Sequence, residues 1–112
     1  LYVKTRNFHW NVVGPQFAEL HSFFEKQYDE VEEAIDEVAE RIRALGGVAA
    51  GSMADFLKLA RLSESTGNPP NAEGMIAELL ADHETVIRQL RTDLETVNDK
   101  YHDVGTGDFL TG

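Results

Sequence analysis

A chain of 112 residues suits one domain, and 42% hydrophobic residues let it bury a modest core. It contains no cysteine, which excludes disulfides, thiolate nucleophiles and thiolate metal sites, so any metal must be held by His, Asp and Glu. Twenty acidic against ten basic residues leave a net charge of -10, a balance that repels polyphosphate and is equally compatible with a high-salt cytoplasm and with a cation-attracting protein.

Leu1 to about Val13 reads as the end of a helix. Its start at Leu1 and its finish at Gly112 after a turn are those expected of a piece of a longer protein, a single domain over 1–112 cut short at both ends. Gly14-Pro15 then breaks the chain, and proline favours the first turn of a new helix. Phe17, Leu20, Phe24, Val31, Ile35, Val38, Ile42 and Leu45 recur mostly at three- and four-residue steps, the mark of one helical apolar stripe. Gly46-Gly47 ends it, so the helix is roughly 30 residues, or about 45 Å, a length typical of bundles. Ser52, with Asp55 three residues on, resembles a capping box for a short helix running to about Leu62. "STGNPPN" is a turn. A second long helix is expected from about Ala72 to Tyr101, with a stripe of Ile76, Leu79, Leu80, His83, Val86, Ile87, Leu90, Leu94, Val97 and Tyr101. "DVGTGD" is expected to break it and "FLTG" to start another helix. No strand alternation is visible, so the fold class is all-α, most simply an antiparallel bundle. No apolar run approaches the ~18 residues of a membrane span, and no basic leader with an apolar core is present. A cytoplasmic location and no membrane partner are expected.

On a wheel of the first long helix, at ~100° per residue from Phe24, the apolar stripe lies between roughly -60° and +20°. His21, Glu25, Asp36 and Glu40 share the sector beside it, from ~60° to ~160°. His21/Glu25 and Asp36/Glu40 are each i, i+4 pairs, one turn apart and able to grip one ion. Asp29 and Glu32 occupy the same sector, so a solvated acidic face is the competing reading. A packed histidine is the competing reading for His21 and for His9 beside Trp10. Glu25 and Asp36 are separated by about 16 Å along the axis, too far for one ion to bridge. An antiparallel copy of the helix, crossing on a two-fold axis near Glu30–Val31, would bring His21/Glu25 of one chain opposite Asp36/Glu40 of the other, twice per dimer. His9, before the break, would fold back to join His21.

At these residues the chain resembles the Dps family, the ferritin-like DNA-protecting proteins of starved cells. "KTRNFHWNVVGPQFAELHSFFEKQYDEVEEAIDEVAERIRALGG" carries the likeness: a His-Trp-Asn run, a second His twelve residues after the first, an acidic residue four further on, and "DEVAERIRALGG" in register. The resemblance extends over essentially the whole chain; the family's N-terminal segment and most of its first and fourth helices are lacking. It implies a ferritin-like four-helix bundle with a short connecting helix between the second and third helices, assembled as a hollow dodecamer. It also implies a ferroxidase site between two-fold-related subunits. Carried over by position, His9, His21 and Glu25 match the ligands of one subunit, and Asp36 and Glu40 those of its partner. The family often has Asp where Glu25 stands. Trp10 matches a tryptophan beside the site that donates an electron and quenches radicals. Asp108 resembles acidic residues of the iron-entry pores. The implied activity is oxidation of Fe²⁺ by hydrogen peroxide and storage of the Fe³⁺ product as mineral, protecting DNA. DNA binding by this acidic chain is expected to be weak or absent.

Two alternatives stand beside this reading. One is a non-enzymatic acidic bundle. The other is a different di-metal carboxylate protein of the ferritin superfamily; those carry Glu-x-x-His pairs, and no Glu stands three residues before His9, His21, His83 or His102.

Overall fold

The computed structural model describes residues 1–111, and every regular element among them is helical. Helix α1 spans Tyr2–Asn11, α2 Phe17–Ala44, α3 Met53–Leu59 and α4 Ala72–Glu95. A π-helical turn over Thr96–Lys100 follows, then α5 over Val104–Thr111. The chain divides into two compact units, Leu1–Ile76 and Ala77–Gly112.

In the first unit α1 folds back on α2 through a tight connection. Gly14 sits at φ 116°, a conformation that an L side chain rarely adopts, and its carbonyl accepts a hydrogen bond from Phe17 N–H at 3.1 Å. Helix α2 therefore starts at Phe17, with Pro15 in the turn rather than in the first helical turn. Phe8, Val12 and Phe24 are almost wholly buried, and the Phe8 and Phe24 rings meet at 6.4 Å. Burying each of these side chains contributes roughly 1.5–3 kcal/mol, so packing rather than any single polar contact holds α1 to α2. The Asn7 side-chain amide donates to the Ser65 carbonyl at 3.2 Å, tying the connection after α3 back to α1.

The expected apolar stripe of α2 is mostly exposed. Phe24 is fully covered and Leu20 and Val31 partly so, whereas Phe17 at its start and Ile35 (49% exposed), Val38, Ile42 and Leu45 (59%) along its distal half are exposed. Length explains the exposure of the distal half: ten-residue α1 can cover about 15 Å of an α2 that runs about 42 Å.

Ser52 caps α3 as its spacing predicts, its Oγ accepting from Asp55 N–H at 3.1 Å, but the helix stops at Leu59, three residues before the expected end. Asn71 opens α4 by accepting from Gly74 N–H at 2.8 Å.

In the second unit the long stripe does not stay α-helical to Tyr101. Beyond Glu95 the backbone widens to a π turn, with Tyr101 N–H bonded to the Thr96 carbonyl. His102 then takes φ 54°, and this residue, not the glycines of "DVGTGD", stops the helix. Helix α5 begins at Val104, five residues before Phe109. Asp103 caps it, accepting from Thr106 N–H at 3.0 Å and from Thr106 Oγ1 at 2.7 Å. Gly107 lies so close to Asn98 that an added Cβ would collide with the Asn98 side-chain amide. Gly112, the end of the "FLTG" stretch, lies outside the described residues.

Candidate metal centre

The α1–α2 connection brings His9 and His21 face to face. Their rings stack with centroids 3.7 Å apart and planes 17° from parallel. Each ring is also bonded to the other residue's backbone: His9 Nδ1 donates to the His21 carbonyl at 2.6 Å, and His21 Nδ1 donates to the His9 carbonyl at 2.7 Å. A carbonyl oxygen can only accept, so both Nδ1 atoms carry protons. In a neutral imidazole that leaves each Nε2 as the unprotonated nitrogen, the form a metal ion takes. The reciprocal bonds contribute only about 1 kcal/mol each. Their consequence is orientation, because they fix the tautomer and the ring plane of both histidines together.

Aromatic neighbours bracket the pair. The Phe17 ring stacks on His21 at 5.0 Å, and the Tyr28 ring meets His9 edge-on at 5.1 Å. Tyr28 is buried, and burial pushes its phenol above the ordinary tyrosine range; Glu25 and Asp29 push the same way, and the nearby Arg6 guanidinium opposes them. Arg6 lies over three rings, 4.1 Å from the Tyr28 centroid, 5.5 Å from Tyr2 and 5.7 Å from Trp10. Its Nε donates to the Tyr2 hydroxyl at 2.8 Å, a bond that raises the guanidinium pKa further. The Arg6 cluster is the element that reading for metal ligands misses. Its signal was present, since Tyr2, Arg6 and Trp10 are spaced i, i+4, i+8 along one face of α1.

The remaining candidates are distributed as follows. Glu25 is exposed on α2, one turn after His21. It borders a shallow acidic groove lined by Ser22, Lys26, Asp29, Glu30 and Glu33. Asp36 and Glu40 are exposed on the distal half of α2, and the helix is continuous between them and Glu25. The described residues of one chain hold no cluster of three or more His, Asp or Glu placed for a metal. The structure thus brings His9 to His21, and it brings none of Glu25, Asp36 and Glu40 into a three-ligand cluster with them. Trp10 is 62% exposed on α1, next to His9. Asp108 is exposed on α5, in the second unit. Neutral imidazole with carboxylate is a borderline-to-hard donor set that suits Fe, Mn or Zn.

The family model described as "Ferritin-like domain" matches residues 1–112. DNA protection during starvation protein 2 of Bacillus anthracis is 38% identical over all of this chain and 75% of its own length. The chain belongs to the Dps family. The all-α, ferritin-like four-helix bundle, with α3 as the short helix between the second and third, is the fold of that family. The low-temperature-induced protein of Nostoc sp. is 52% identical over the whole chain, which spans 63% of that relative. Among solved structures, Dps from Vibrio cholerae O1 matches with a TM-score of 0.92 and 33% identity, over 98% of this chain and 68% of that one. The Vibrio protein is described as a member of a broad superfamily of ferritin-like diiron-carboxylate proteins. No helix among the described residues of this Dps-family chain is long and apolar enough to cross a membrane.

Proposed function

We propose that this Dps-family chain oxidises Fe²⁺ at a site shared between two copies and stores the ferric product inside a hollow homo-oligomer, most simply a dodecamer, in the cytoplasm. The observation that carries the reading is the His9/His21 clasp, which orients two imidazoles side by side; Glu25 follows His21 by one turn of α2. Asp36 and Glu40 supply the other half from the partner, in the antiparallel two-fold arrangement. The outward-facing Ile35 and Val38 on that stretch of α2 are apolar surface that a second copy would cover.

Iron is the substrate. Imidazole nitrogen holds Fe²⁺, and the hard carboxylates favour Fe³⁺ as it forms. Two Fe²⁺ ions give up two electrons to one hydrogen peroxide, which takes two protons and leaves as two waters, so hydroxyl radical is largely avoided. The His9 and His21 carbonyls hold both rings in the ligating tautomer throughout. Trp10 stands beside His9 as an electron donor to any radical that escapes. The net charge of -10 concentrates cations at the surface and the cavity wall, with Asp108 a candidate for the entry pores. A crystal soaked in Fe²⁺ and measured at the iron edge tests the site. Anomalous density between two chains, touching His9, His21 and Glu25 of one and Asp36 and Glu40 of the other, is the expected result. Iron held within a single chain, or no iron at these residues, rules the reading out.

Protection of DNA, for which the Bacillus anthracis relative is named, follows here from removing iron and peroxide rather than from coating the duplex. The acidic chain is expected to leave plasmid DNA unretarded in a low-salt gel shift, and a retarded band would contradict that.

A further inference from the structure

The Arg6 cluster has no part in holding metal, yet it touches the candidate centre through Tyr28. Three oxidisable rings, Tyr2, Tyr28 and Trp10, surround one guanidinium. We propose that Arg6 selects which ring is oxidised: it shields Tyr28, the ring in contact with His9, and leaves Trp10 as the sacrificial donor. Arg6 is thus a positioning residue, acting through the rings and not on the substrate.

The reason is electrostatic. A ring that loses an electron becomes positive, and a fixed cation over its face opposes that change by the same attraction to the neutral ring that defines a cation–π contact. The opposition weakens with distance and with access to water. Tyr28 lies nearest, at 4.1 Å, and is buried at 7% exposure, so it is penalised most. Trp10 lies at 5.7 Å and is 62% exposed, so water screens the guanidinium and its indole proton has solvent to enter. Tyr2 is intermediate at 5.5 Å and is bonded to Arg6 Nε through its hydroxyl. The step balances with the electron leaving first. Hydroxyl radical, formed when one Fe²⁺ reduces one peroxide, takes an electron from Trp10 and becomes hydroxide; the indole radical cation then gives its Nε1 proton to that hydroxide, forming water and a neutral indolyl radical. Diverting oxidation to Trp10 spares the ring that packs on a metal-binding histidine.

The inference rests on the proposed iron chemistry only for the source of the radical, so its test uses none. Sulfate radical generated by photolysis of persulfate, without iron, takes one electron from the protein and becomes sulfate. Peptide mapping of oxidised residues is then compared among wild type, Arg6→Gln and Arg6→Lys. In wild type, oxidation concentrates at Trp10. In Arg6→Gln the Tyr28 share rises roughly fivefold, and Arg6→Lys, which keeps the cation, stays close to wild type. An unchanged distribution in Arg6→Gln overturns the inference, as does Arg6→Lys behaving like Arg6→Gln. Freeze-quenched electron paramagnetic resonance of wild type alone gives a reading independent of how the variants fold: a tryptophanyl signal supports the selection and a predominantly tyrosyl signal overturns it.

Discussion

Two variants, each expected to be inactive by itself, should regain iron oxidation when assembled together. The first, His21→Ala with Glu25→Ala, lacks one half of the centre. The second, Asp36→Ala with Glu40→Ala, lacks the other. In a two-fold dimer of one copy of each, one site combines both defects and the other combines the two intact halves. Random co-assembly makes about half of the dimers mixed, so roughly a quarter of all sites, and of the wild-type rate, should return. The measurement is the initial rate of Fe³⁺ appearance after peroxide addition, for each variant alone and for the co-expressed mixture. A mixture no faster than its components would place all ligands within one chain and end the shared-site model. The outcome follows from α2 itself. It is one uninterrupted helix from Phe17 to Ala44, so no bend can bring Asp36 within reach of Glu25.

The second large effect is on the first variant by itself. Removing His21 takes away a proposed ligand and also the donor to the His9 carbonyl, and it leaves His9 without its stacking partner. Losing groups that merely orient a metal ligand costs about 10–100-fold, so losing two ligands and the clasp together should cost at least ~100-fold in the rate of Fe²⁺ oxidation. Wild-type helix content in circular dichroism should persist, because the Phe8–Phe24 packing that joins α1 to α2 is untouched. Glu25 is exposed, so its removal adds no cavity. Oxidation at the wild-type rate would favour the alternative in which the acidic stripe is solvated surface only.

Much of this molecule is legible in its residues. Gly14-Pro15 marks the break between α1 and α2, Gly46-Gly47 marks the end of α2, and the Ser52/Asp55 spacing marks the cap of α3. The i, i+4 pairs on α2 can be counted, and the distance between them computed, because helix geometry is regular. Legibility fails where non-local contact decides. The stripe from Ile35 to Leu45 has the same periodicity as the buried stretch around Phe24, and nothing in it states that α1 is too short to cover it. The π turn after Glu95 and the His102 stop have no glycine or proline to announce them. The Arg6 cluster was half visible: α1 aligns Tyr2, Arg6 and Trp10, but Tyr28 reaches Arg6 only because α2 packs alongside.

Sequence alone determined that this protein is a helical bundle chain in which any metal must be held by nitrogen and oxygen ligands, because periodicity, breakers and the absence of cysteine are local properties. It also determined that His21/Glu25 and Asp36/Glu40 on α2 cannot meet within one copy, because rise per residue is fixed. Only the tertiary structure decided that His9 and His21 lock each other's Nδ1 through their carbonyls, which turns both Nε2 atoms away from those bonds. That arrangement depends on where two backbones pass each other, which no single segment encodes.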